Sequence, residues 1–200
     1  MPHVPAQKAE TRRRIVDSAR KLFNRRGFSD VSIDEVMAEA GLTRGGFYKH
    51  FASKEDLYAH AVRQFNASPR RPAWQTRNID PAARGRSLAA MIVNAYLSRD
   101  HLDDRDGSCP MIGLPSDVAR GSAVTKGAFR EVLDMMVAVF AENLGGRIAE
   151  RRERALALAA MTVGGMVLAR AVDDDGLAEE LREGVRRQVF AAAGWPLPGE

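Results

Sequence analysis

Side chains that can bind a phosphodiester backbone or a base edge are concentrated in one short segment, residues 43–50. They are Thr43, Arg44, Tyr48, Lys49 and His50. Arg44 can donate a bidentate pair of hydrogen bonds to guanine, and the others offer hydroxyl, ammonium and imidazole groups. Gly45 and Gly46 lack side chains, which lets the backbone approach another molecule closely. The pattern indicates contact with double-stranded DNA, although a loosely formed helix start would also explain the two glycines.

Further phosphate donors surround this segment in the sequence. Ser32 precedes a predicted helix whose first amide groups point outward, Lys54 opens a later helix, and Arg13 lies in a run of three arginines. A run of arginines is usually a solvated face, but here separate basic positions accompany one segment. The candidate DNA-binding residues are Ser32, Thr43, Arg44, Gly45, Gly46, Tyr48, Lys49, His50, Lys54 and Arg13.

Short helices must position these residues, and the spacing of apolar and capping residues predicts where they lie. The first helix is expected to run from Thr11, as its N-cap, to Arg26, with Gly27 as the residue that ends it. A second helix follows Ser32, which can form a Ser-x-x-Glu capping box with Glu35.

The second helix is expected to stop at Gly41, and a third short helix to run from Thr43 to about His50. Two short helices joined by a tight turn predict a helix-turn-helix, in which the second helix lies in the major groove. Phe47 and Phe51 are four residues apart and are expected to face the core.

The charge is divided unevenly along the chain. Residues up to Arg71 carry 14 Lys and Arg against 8 Asp and Glu, and the rest carry 16 against 18. A fourth helix, capped by Ser53, precedes a break near residue 70, so we predict domains 1–70 and 71–200. The N-terminal domain is basic, so it is the domain expected to bind a polyanion such as DNA. Helical periodicity predicts an all-α fold for both domains.

The C-terminal domain, residues 71–200, is predicted to contain five helices and a polar loop. The helices span 87–99, 116–120, 123–144, 152–172 and 177–193, and the loop spans 104–115. The penultimate helix contains an uncharged run, Ala155–Ala169, about five residues too short to cross a bilayer, so no membrane contact is expected. This helix is apolar nearly all round and rich in small residues. We expect a homodimer through the last two helices, with burial inside one subunit as the alternative.

Six of the eight methionines lie beyond residue 70. Flexible thioethers suit a pocket for small apolar molecules of varied shape, which predicts an effector site. The candidate pocket residues are Met91, Tyr96, Met111, Phe129, Met136, Phe140 and Met161. A methionine at helical spacing more often belongs to the core, and that alternative stays open.

A family pattern extends across residues 11–57 without a gap. Its residues are Thr11, Ile15, Ala19, Phe23, Gly27, Phe28, Ser32, Ile33, Val36, Ala40–Thr43, Gly45, Phe47, Tyr48, His50, Phe51 and Ser53–Leu57. They resemble the signature of the TetR family of transcriptional regulators. The resemblance implies a three-helix DNA-binding domain, a fourth linking helix that transmits ligand binding, and a helical C-terminal domain that dimerises and binds an effector. It implies DNA contacts by Ser32, Thr43, Arg44, Gly46, Tyr48, Lys49, His50 and Lys54. We therefore expect a repressor that binds palindromic operator DNA as a dimer and is released by a small molecule.

Cys109 is the single cysteine of the chain, and it is followed by Pro110. This segment resembles a Gly-Cys-Pro loop in a subset of the family, some members of which sense oxidants or electrophiles. Ser108 departs from that pattern because it separates Gly107 from Cys109. Arg105 would favour the thiolate, whereas nearby aspartates would disfavour it. A redox or electrophile sensor is therefore one hypothesis for Cys109, and a small buried hydrophobic residue is the other.

Other functional classes fit less well. An enzyme with Cys109 as nucleophile and His101 as base would lack an orienting partner and an oxyanion loop, so no catalysis is expected. The acidic residues after His101 do not follow a calcium-loop pattern, and we expect no metal or cofactor. An architectural DNA-binding protein without an effector remains an alternative. Its DNA affinity would fall steeply with salt concentration and would depend little on the DNA sequence. A single cysteine and no apolar leader predict a cytoplasmic protein.

Overall fold

A computed structural model describes residues 4–67 and 72–196 of the chain. Over these residues the regular structure is helical, which confirms the all-α prediction. The α-helices are α1 (Val4–Arg26), α2 (Ile33–Glu39), α3 (Lys54–Ala67), α4 (Ala73–Asn78), α5 (Gly85–Tyr96), α6 (Arg99–Asp103), α7 (Pro110–Gly113), α8 (Pro115–Arg120), α9 (Ala123–Glu142), α10 (Ile148–Ala171) and α11 (Asp175–Ala193). A 3₁₀ helix, Arg44–Lys49, lies between α2 and α3.

The chain forms two compact units. Unit 1 comprises Met1–Pro69 and Cys109–Val132, and unit 2 comprises Arg70–Ser108 and Leu133–Glu200. The boundary predicted near residue 70 lies outside the described residues. The sequence analysis predicted two consecutive domains, 1–70 and 71–200. In the structure, Cys109–Val132 belongs to the same unit as the N-terminal helices. One cause of this arrangement is Asp117 in α8, whose carboxylate accepts a hydrogen bond from the backbone N–H of Phe28 at 2.7 Å.

The start of α1 differs from the prediction. The helix begins at Val4, so Thr11 lies inside it and is not its N-cap. Residues 6–10 include good helix formers, and Pro5 lies in the first turn, where its missing N–H breaks no helical hydrogen bond. The end of α1 is confirmed: Gly27 has φ of +79° and donates its N–H to the carbonyl of Phe23 at 2.8 Å.

The predicted capping box at the start of α2 is confirmed. The Ser32 hydroxyl accepts a hydrogen bond from the backbone N–H of Glu35 at 3.2 Å, and the Glu35 carboxylate accepts one from the backbone N–H of Ser32 at 2.8 Å. The backbone and hydroxyl donors of Ser32, with Arg26, hold the pKa of Glu35 at about 2. Gly41, at φ of +65°, carries the chain out of α2 towards the 3₁₀ helix.

The third helix lies where it was expected, but it is a 3₁₀ helix over Arg44–Lys49. Thr43 is its N-cap residue, although its side chain makes no capping hydrogen bond. Two glycines in six residues weaken an α-helix, which fits the short 3₁₀ form. Phe47 and Phe51 are buried with ring centroids 5.7 Å apart, which confirms their predicted core positions.

Helix α3 is capped as predicted and is tied to α9. The Ser53 hydroxyl accepts a hydrogen bond from the backbone N–H of Asp56 at 3.1 Å. Arg63 donates two hydrogen bonds to the carboxylate of Glu131, at 2.9 and 3.0 Å. The predicted fourth helix therefore packs within unit 1 against the part of α9 that belongs to the same unit.

The predicted polar loop 104–115 is wrong in its second half. Residues 107–112 are buried, and α7 begins at Pro110. In unit 2, Arg170 of α10 anchors the preceding segment by donating hydrogen bonds to the Ser108 hydroxyl at 2.7 Å and to the backbone carbonyls of Asp104, at 3.1 Å, and His101. The Arg170 guanidinium thus provides hydrogen-bond partners for polar groups that the local sequence predicts to be solvated.

The predicted helix 87–99 is interrupted. Helix α5 ends at Tyr96, and Ser98 starts α6 by accepting a hydrogen bond from the backbone N–H of His101 at 3.2 Å. Helix α8 and the long helix α9 lie where they were expected.

Helix α10 is longer than the uncharged run that it contains. It has 24 residues, and by length and composition alone it could cross a membrane, so the length argument made for Ala155–Ala169 does not hold for the whole helix. Its inner face packs closely on α11: a Cβ atom added at Gly165 would lie 2.8 Å from Val185. Such packing is typical of a helix buried against other helices.

The opposite face of α10 carries a row of apolar residues that no described part of the chain covers. This row, called the apolar strip, consists of Leu156, Ala160, Met161, Gly164 and Leu168. Leu156 is 41% exposed and Leu168 is 56% exposed. No atom of the described residues lies within 4 Å of a Cβ added at Gly164, so this glycine faces open space among them.

Buried His101 predicts a loss of stability in acid. Burial, with a smaller effect of the Arg170 charge, lowers its pKa to about 3, although its Nδ1 hydrogen bond to the Tyr96 carbonyl at 2.7 Å opposes the shift. The unfolded chain binds a proton below about pH 6.5 and the folded chain does not. The contribution of neutral His101 to the free energy of unfolding is therefore complete above that pH. It falls by about 1.4 kcal/mol for each pH unit below it.

Urea unfolding of the wild type and of His101→Phe at pH 7 and pH 5 checks this prediction. We expect the wild type to lose about 2 kcal/mol more than the variant between the two pH values. Other histidines contribute equally to both proteins and cancel in the comparison. Equal losses would contradict the prediction.

Candidate nucleic-acid interface

The 3₁₀ helix presents its polar residues to solvent. Tyr48 is 62% exposed, and Thr43, Arg44 and Lys49 are also exposed. Buried Phe47 lies against Tyr48, with ring centroids 5.1 Å apart in an edge-to-face arrangement. The exposed side chains therefore project from a short helix that an aromatic core holds in place.

Two of the predicted DNA-binding side chains already have partners on α2. Arg44 forms an exposed ion pair with Asp34, and the Ser32 hydroxyl donates to the Glu35 carboxylate at 2.7 Å. An exposed ion pair contributes little to stability, so Arg44 can exchange Asp34 for a guanine or a phosphate at small cost. Ser32 keeps its backbone role at the start of α2.

Arg12 positions the end of the 3₁₀ helix. Its guanidinium donates a hydrogen bond to the backbone carbonyl of His50 at 2.9 Å and lies 4.2 Å above the ring of Phe51. It also lies 2.7 Å from Nε2 of His60 on α3. The sequence placed Arg12 in a run of arginines expected to contact DNA, but in the structure it joins α1, α3 and the 3₁₀ helix.

The other two arginines of the run differ in their surroundings. Arg14 donates to the backbone carbonyl of Ala40 at the end of α2, so it also supports the helix-turn-helix. Arg13 is half exposed and pairs with Glu10 on the surface of α1. Of the three, Arg13 is the side chain most free to meet a phosphate.

Lys54 and His50 are less exposed than the sequence suggests. The Lys54 ammonium lies 4.2 Å above the ring of Phe28, and burial lowers its pKa. Burial also lowers the pKa of His50, and the charges of Lys8, Arg12 and Lys49 add to that effect. The lowered pKa disfavours a charge on His50 itself, but Lys8, Arg12 and Lys49 bring positive charge to this end of the 3₁₀ helix, where it would stabilise an approaching phosphate.

The structure shows no internal reason for glycine at position 45. A Cβ added at Gly45 meets no atom within 4 Å, and one added at Gly46 meets the Met37 methyl at an ordinary 3.5 Å. Neither residue has a positive φ. The missing side chains leave open space on the outer side of the 3₁₀ helix, which agrees with the expectation of close approach by another molecule.

Gly45→Ala is expected to leave the fold intact and to weaken DNA binding about tenfold, because a methyl group would occupy that space. The free energy of unfolding should stay unchanged or rise by up to about 1 kcal/mol. Fluorescence anisotropy with operator DNA and urea unfolding measure the two effects. Gly127→Ala, in equally open space on α9, is the matched control. Full DNA affinity in Gly45→Ala would show that the glycine does not serve close approach.

Asp117 is a residue that the sequence reasoning missed. Its carboxylate binds the Phe28 N–H just beyond α1, and it also pairs with Arg120 at 3.1 Å. A Cβ at Gly27 would lie 2.8 Å from this carboxylate, so the glycine is needed for the contact. An aspartate in the first turn of a short helix gives no sequence signal of a partner 89 residues away.

The predicted effector-pocket residues are divided between the two units. Met111 and Phe129 belong to unit 1, and Met91, Tyr96, Met136, Phe140 and Met161 belong to unit 2. Within unit 2, Phe140 packs edge-to-face on Trp195, with centroids 5.7 Å apart, whereas Met161 is exposed. A common pocket for these residues stays a prediction. The structure shows a different cleft in unit 2, between the end of α5 and α11, in which Leu97 is the single apolar lining residue.

Cys109 is 1% exposed and is the N-cap residue of the short helix α7. An oxidant would need a local opening of the chain to reach the thiol, and the sensor role stays a prediction. His101 is held in the core of unit 2 by the Tyr96 carbonyl, as expected of a structural imidazole. Among the described residues no group of three or more His, Cys, Asp or Glu side chains could hold a metal ion.

The capped helix α2, the turn at Gly41 and the exposed 3₁₀ helix define a DNA-binding protein of the helix-turn-helix class. Residues 15–61 match the family model described as bacterial regulatory proteins, tetR family. Residues 15–61 are therefore identified as a TetR-family DNA-binding segment.

Curated relatives match the N-terminal part of the chain. The transcriptional regulator AcrR of Shigella flexneri is 46% identical over 50 residues, which are 25% of this chain and 23% of AcrR. The transcriptional repressor BepR of Brucella suis is 38% identical over 62 residues, which are 31% of this chain and 30% of BepR. The chain thus spans between about a fifth and two fifths of the length of the curated relatives it matches.

Solved structures share the fold over most of the chain. Reduced E. coli NemR superposes with a TM-score of 0.71 at 17% identity, covering 91% of this chain and 96% of NemR. The multidrug binding protein EbrR, complexed with imidazole, gives a TM-score of 0.62 at 23% identity, covering 94% and 98%. At these identities the likeness shows the fold.

Proposed function

We propose that this protein is a cytoplasmic repressor that binds palindromic operator DNA as a homodimer and is released by a small molecule. The observation that carries the proposal is the 3₁₀ helix. Its Tyr48 and Lys49 are exposed, and its Phe47 is buried in the core beneath them. Repression is the stated activity of the relative BepR, which supports a repressor here.

The apolar strip supports the homodimer. Exposed apolar surface on a long helix favours association, and open Gly164 would let a second α10 approach closely. Helix α11 carries a comparable row of Leu177, Leu181 and Gly184. Two copies of α10 and α11 would form a four-helix bundle, and the dimer would present two 3₁₀ helices to the half-sites of a palindrome.

Release by a small molecule requires that the ligand favour the conformation that does not fit the operator. Arg63 and Glu131 link α3 to α9 and provide one physical connection along which the positions of the DNA-binding helices can change. The neighbour EbrR is described as a multidrug binding protein, which supports a small-molecule ligand for this fold.

Selection of bound genomic fragments by the purified protein tests the proposal. We expect enrichment of a short palindromic sequence, bound by two chains. Anisotropy with that sequence and with a scrambled duplex should differ by at least about 1,000-fold in affinity at physiological salt. Equal affinity for both duplexes, with a steep salt dependence, would instead indicate an architectural DNA-binding protein.

A further inference from the structure

Arg44 and Asp34 form an ion pair on the outer surface of the helix-turn-helix. Asp34 lies in the first turn of α2, and Arg44 is the first residue of the 3₁₀ helix. Both side chains are more than half exposed, so the pair adds little to the stability of the fold. The consequence of the pair therefore lies in what Arg44 can bind.

The ion pair uses only one side of the Arg44 guanidinium. Nη1 donates to Oδ2 of Asp34, whereas Nε and Nη2 make no hydrogen bond to a described residue. Nε and Nη2 carry two parallel N–H groups, which match the paired acceptors O6 and N7 of guanine in the major groove. Arg44 can therefore keep its contact with Asp34 and still bind a guanine edge with two hydrogen bonds.

A phosphate would not share Arg44 with Asp34 in the same way. A phosphate oxygen and the Asp34 carboxylate both carry negative charge, so they would repel each other when bound to one guanidinium. Guanine O6 and N7 are neutral acceptors, and the carboxylate repels them far less. Asp34 therefore disfavours a phosphate at Arg44 and leaves guanine as the better partner.

Asp34 also restricts an arginine that has little other support. Gly45 and Gly46 follow Arg44 and lack side chains, and a Cβ added at Gly45 would meet no described atom within 4 Å. Thr43 precedes it and makes no side-chain capping hydrogen bond. A long side chain in such open space loses many conformations when it binds a base. The ion pair removes part of that freedom before DNA arrives, which lowers the entropic cost of binding.

We propose that Asp34 is a positioning residue that determines DNA sequence specificity: it orients Arg44 towards a guanine in each half-site and disfavours contact of Arg44 with phosphates. The inference rests on the proposed binding of operator DNA, and it adds the residue that sets the preference for one base. The start of α2 does not depend on Asp34, because Ser32 and Glu35 form the capping box. Asp34→Asn therefore removes the charge and keeps the helix.

Anisotropy with the selected operator and with a scrambled duplex tests the proposal. We expect Asp34→Asn to lower the ratio of the two affinities at least about tenfold, because Arg44 is no longer oriented towards guanine. Asp30→Asn is the matched control, since Asp30 is an exposed aspartate in the turn before α2, and it should leave the ratio unchanged. A wild-type ratio in Asp34→Asn, or an equal fall of the ratio in Asp30→Asn, would overturn the proposal.

A double variant shows whether Asp34 acts through Arg44. In a chain that already carries Arg44→Ala, the change Asp34→Asn should have no further effect on the affinity ratio. A further fall of the ratio would indicate that Asp34 contacts a base itself, and this result would overturn the positioning role.

Operators in which one guanine at a time is replaced by 7-deazaguanine, which lacks the N7 acceptor, identify the base. We expect one guanine in each half-site at which the replacement weakens binding by the wild type and has no effect on binding by Arg44→Ala. If the replacements affect both proteins alike at every guanine, Arg44 does not bind guanine and the proposal is wrong.

The salt dependence of binding to a random duplex separates this inference from the proposed function. Without the Asp34 charge, Arg44 is free to bind a phosphate. The slope of log affinity against log salt should therefore steepen by about 0.9 per chain in Asp34→Asn and stay unchanged in Asp30→Asn. An unchanged slope in Asp34→Asn would overturn the effect of Asp34 on Arg44. Failure to select any operator would overturn the proposed function, while this slope would still decide whether Asp34 keeps Arg44 from phosphates.

Discussion

Replacing both Tyr48 and Lys49 with alanine is expected to weaken operator binding at least about 100-fold and to leave the fold and the dimer intact. Both side chains are exposed on the 3₁₀ helix, and the core beneath them is formed by Phe47. Their removal therefore takes away DNA contacts without opening a cavity. Each lost contact is worth about 1–3 kcal/mol, which gives the expected loss.

Gel shift and anisotropy with the selected operator measure this effect, and size exclusion with circular dichroism checks the dimer and the fold. Lys49→Ala alone should also reduce the slope of log affinity against log salt by about one unit per chain. Lys126→Ala, an exposed lysine on α9, is the matched control and should bind DNA normally. Retained operator binding by the double variant would exclude the 3₁₀ helix as the recognition element.

Leu168→Arg is expected to convert the proposed dimer to a monomer. Leu168 is 56% exposed in the single chain and lies in the apolar strip, so dimerisation would bury it. An arginine there would place an uncompensated charge in an apolar interface, at a cost of about 3 kcal/mol or more. The dimer dissociation constant should rise at least about 100-fold. Operator affinity should fall with it, because the two half-sites would no longer be bound by one linked pair of chains.

Analytical ultracentrifugation over a concentration series tests this expectation, and circular dichroism shows whether the helices persist. Ile148→Arg is the matched control, because Ile148 is an 83% exposed apolar residue at the start of the same helix but lies outside the apolar strip. A dimer of normal affinity in Leu168→Arg would indicate that the apolar strip is not the interface.

The helix-turn-helix could be predicted in detail because its signals are local. A capping box joins residues three apart, and a glycine at φ of +65° acts on its own turn. Ser32, Glu35 and Gly41 were therefore assigned correctly. The exact start of α1 was missed, because a good cap at Thr11 is outweighed by favourable helix formers before it.

Positioning residues could not be predicted, because their partners lie far along the chain. Arg12 reads as part of a basic run, yet its partner, the His50 carbonyl, is 38 residues away. In the sequence, Arg170 follows an uncharged apolar run, yet in the structure it donates a hydrogen bond to Ser108, 62 residues away. Long side chains reach any backbone carbonyl that the fold brings near, and no spacing rule records such a pair.

The amino-acid sequence by itself determined the class of protein, because short capped helices, a basic N-terminal region and a cluster of candidate phosphate-binding residues are properties of neighbouring positions. The tertiary structure alone decided which basic residues hold the helices together and which face of α10 the described residues leave uncovered. The Ser108 hydroxyl has Arg170 as its partner only when α10 is packed in unit 2. Burial depends on the whole fold, and burial makes an unpaired polar atom costly.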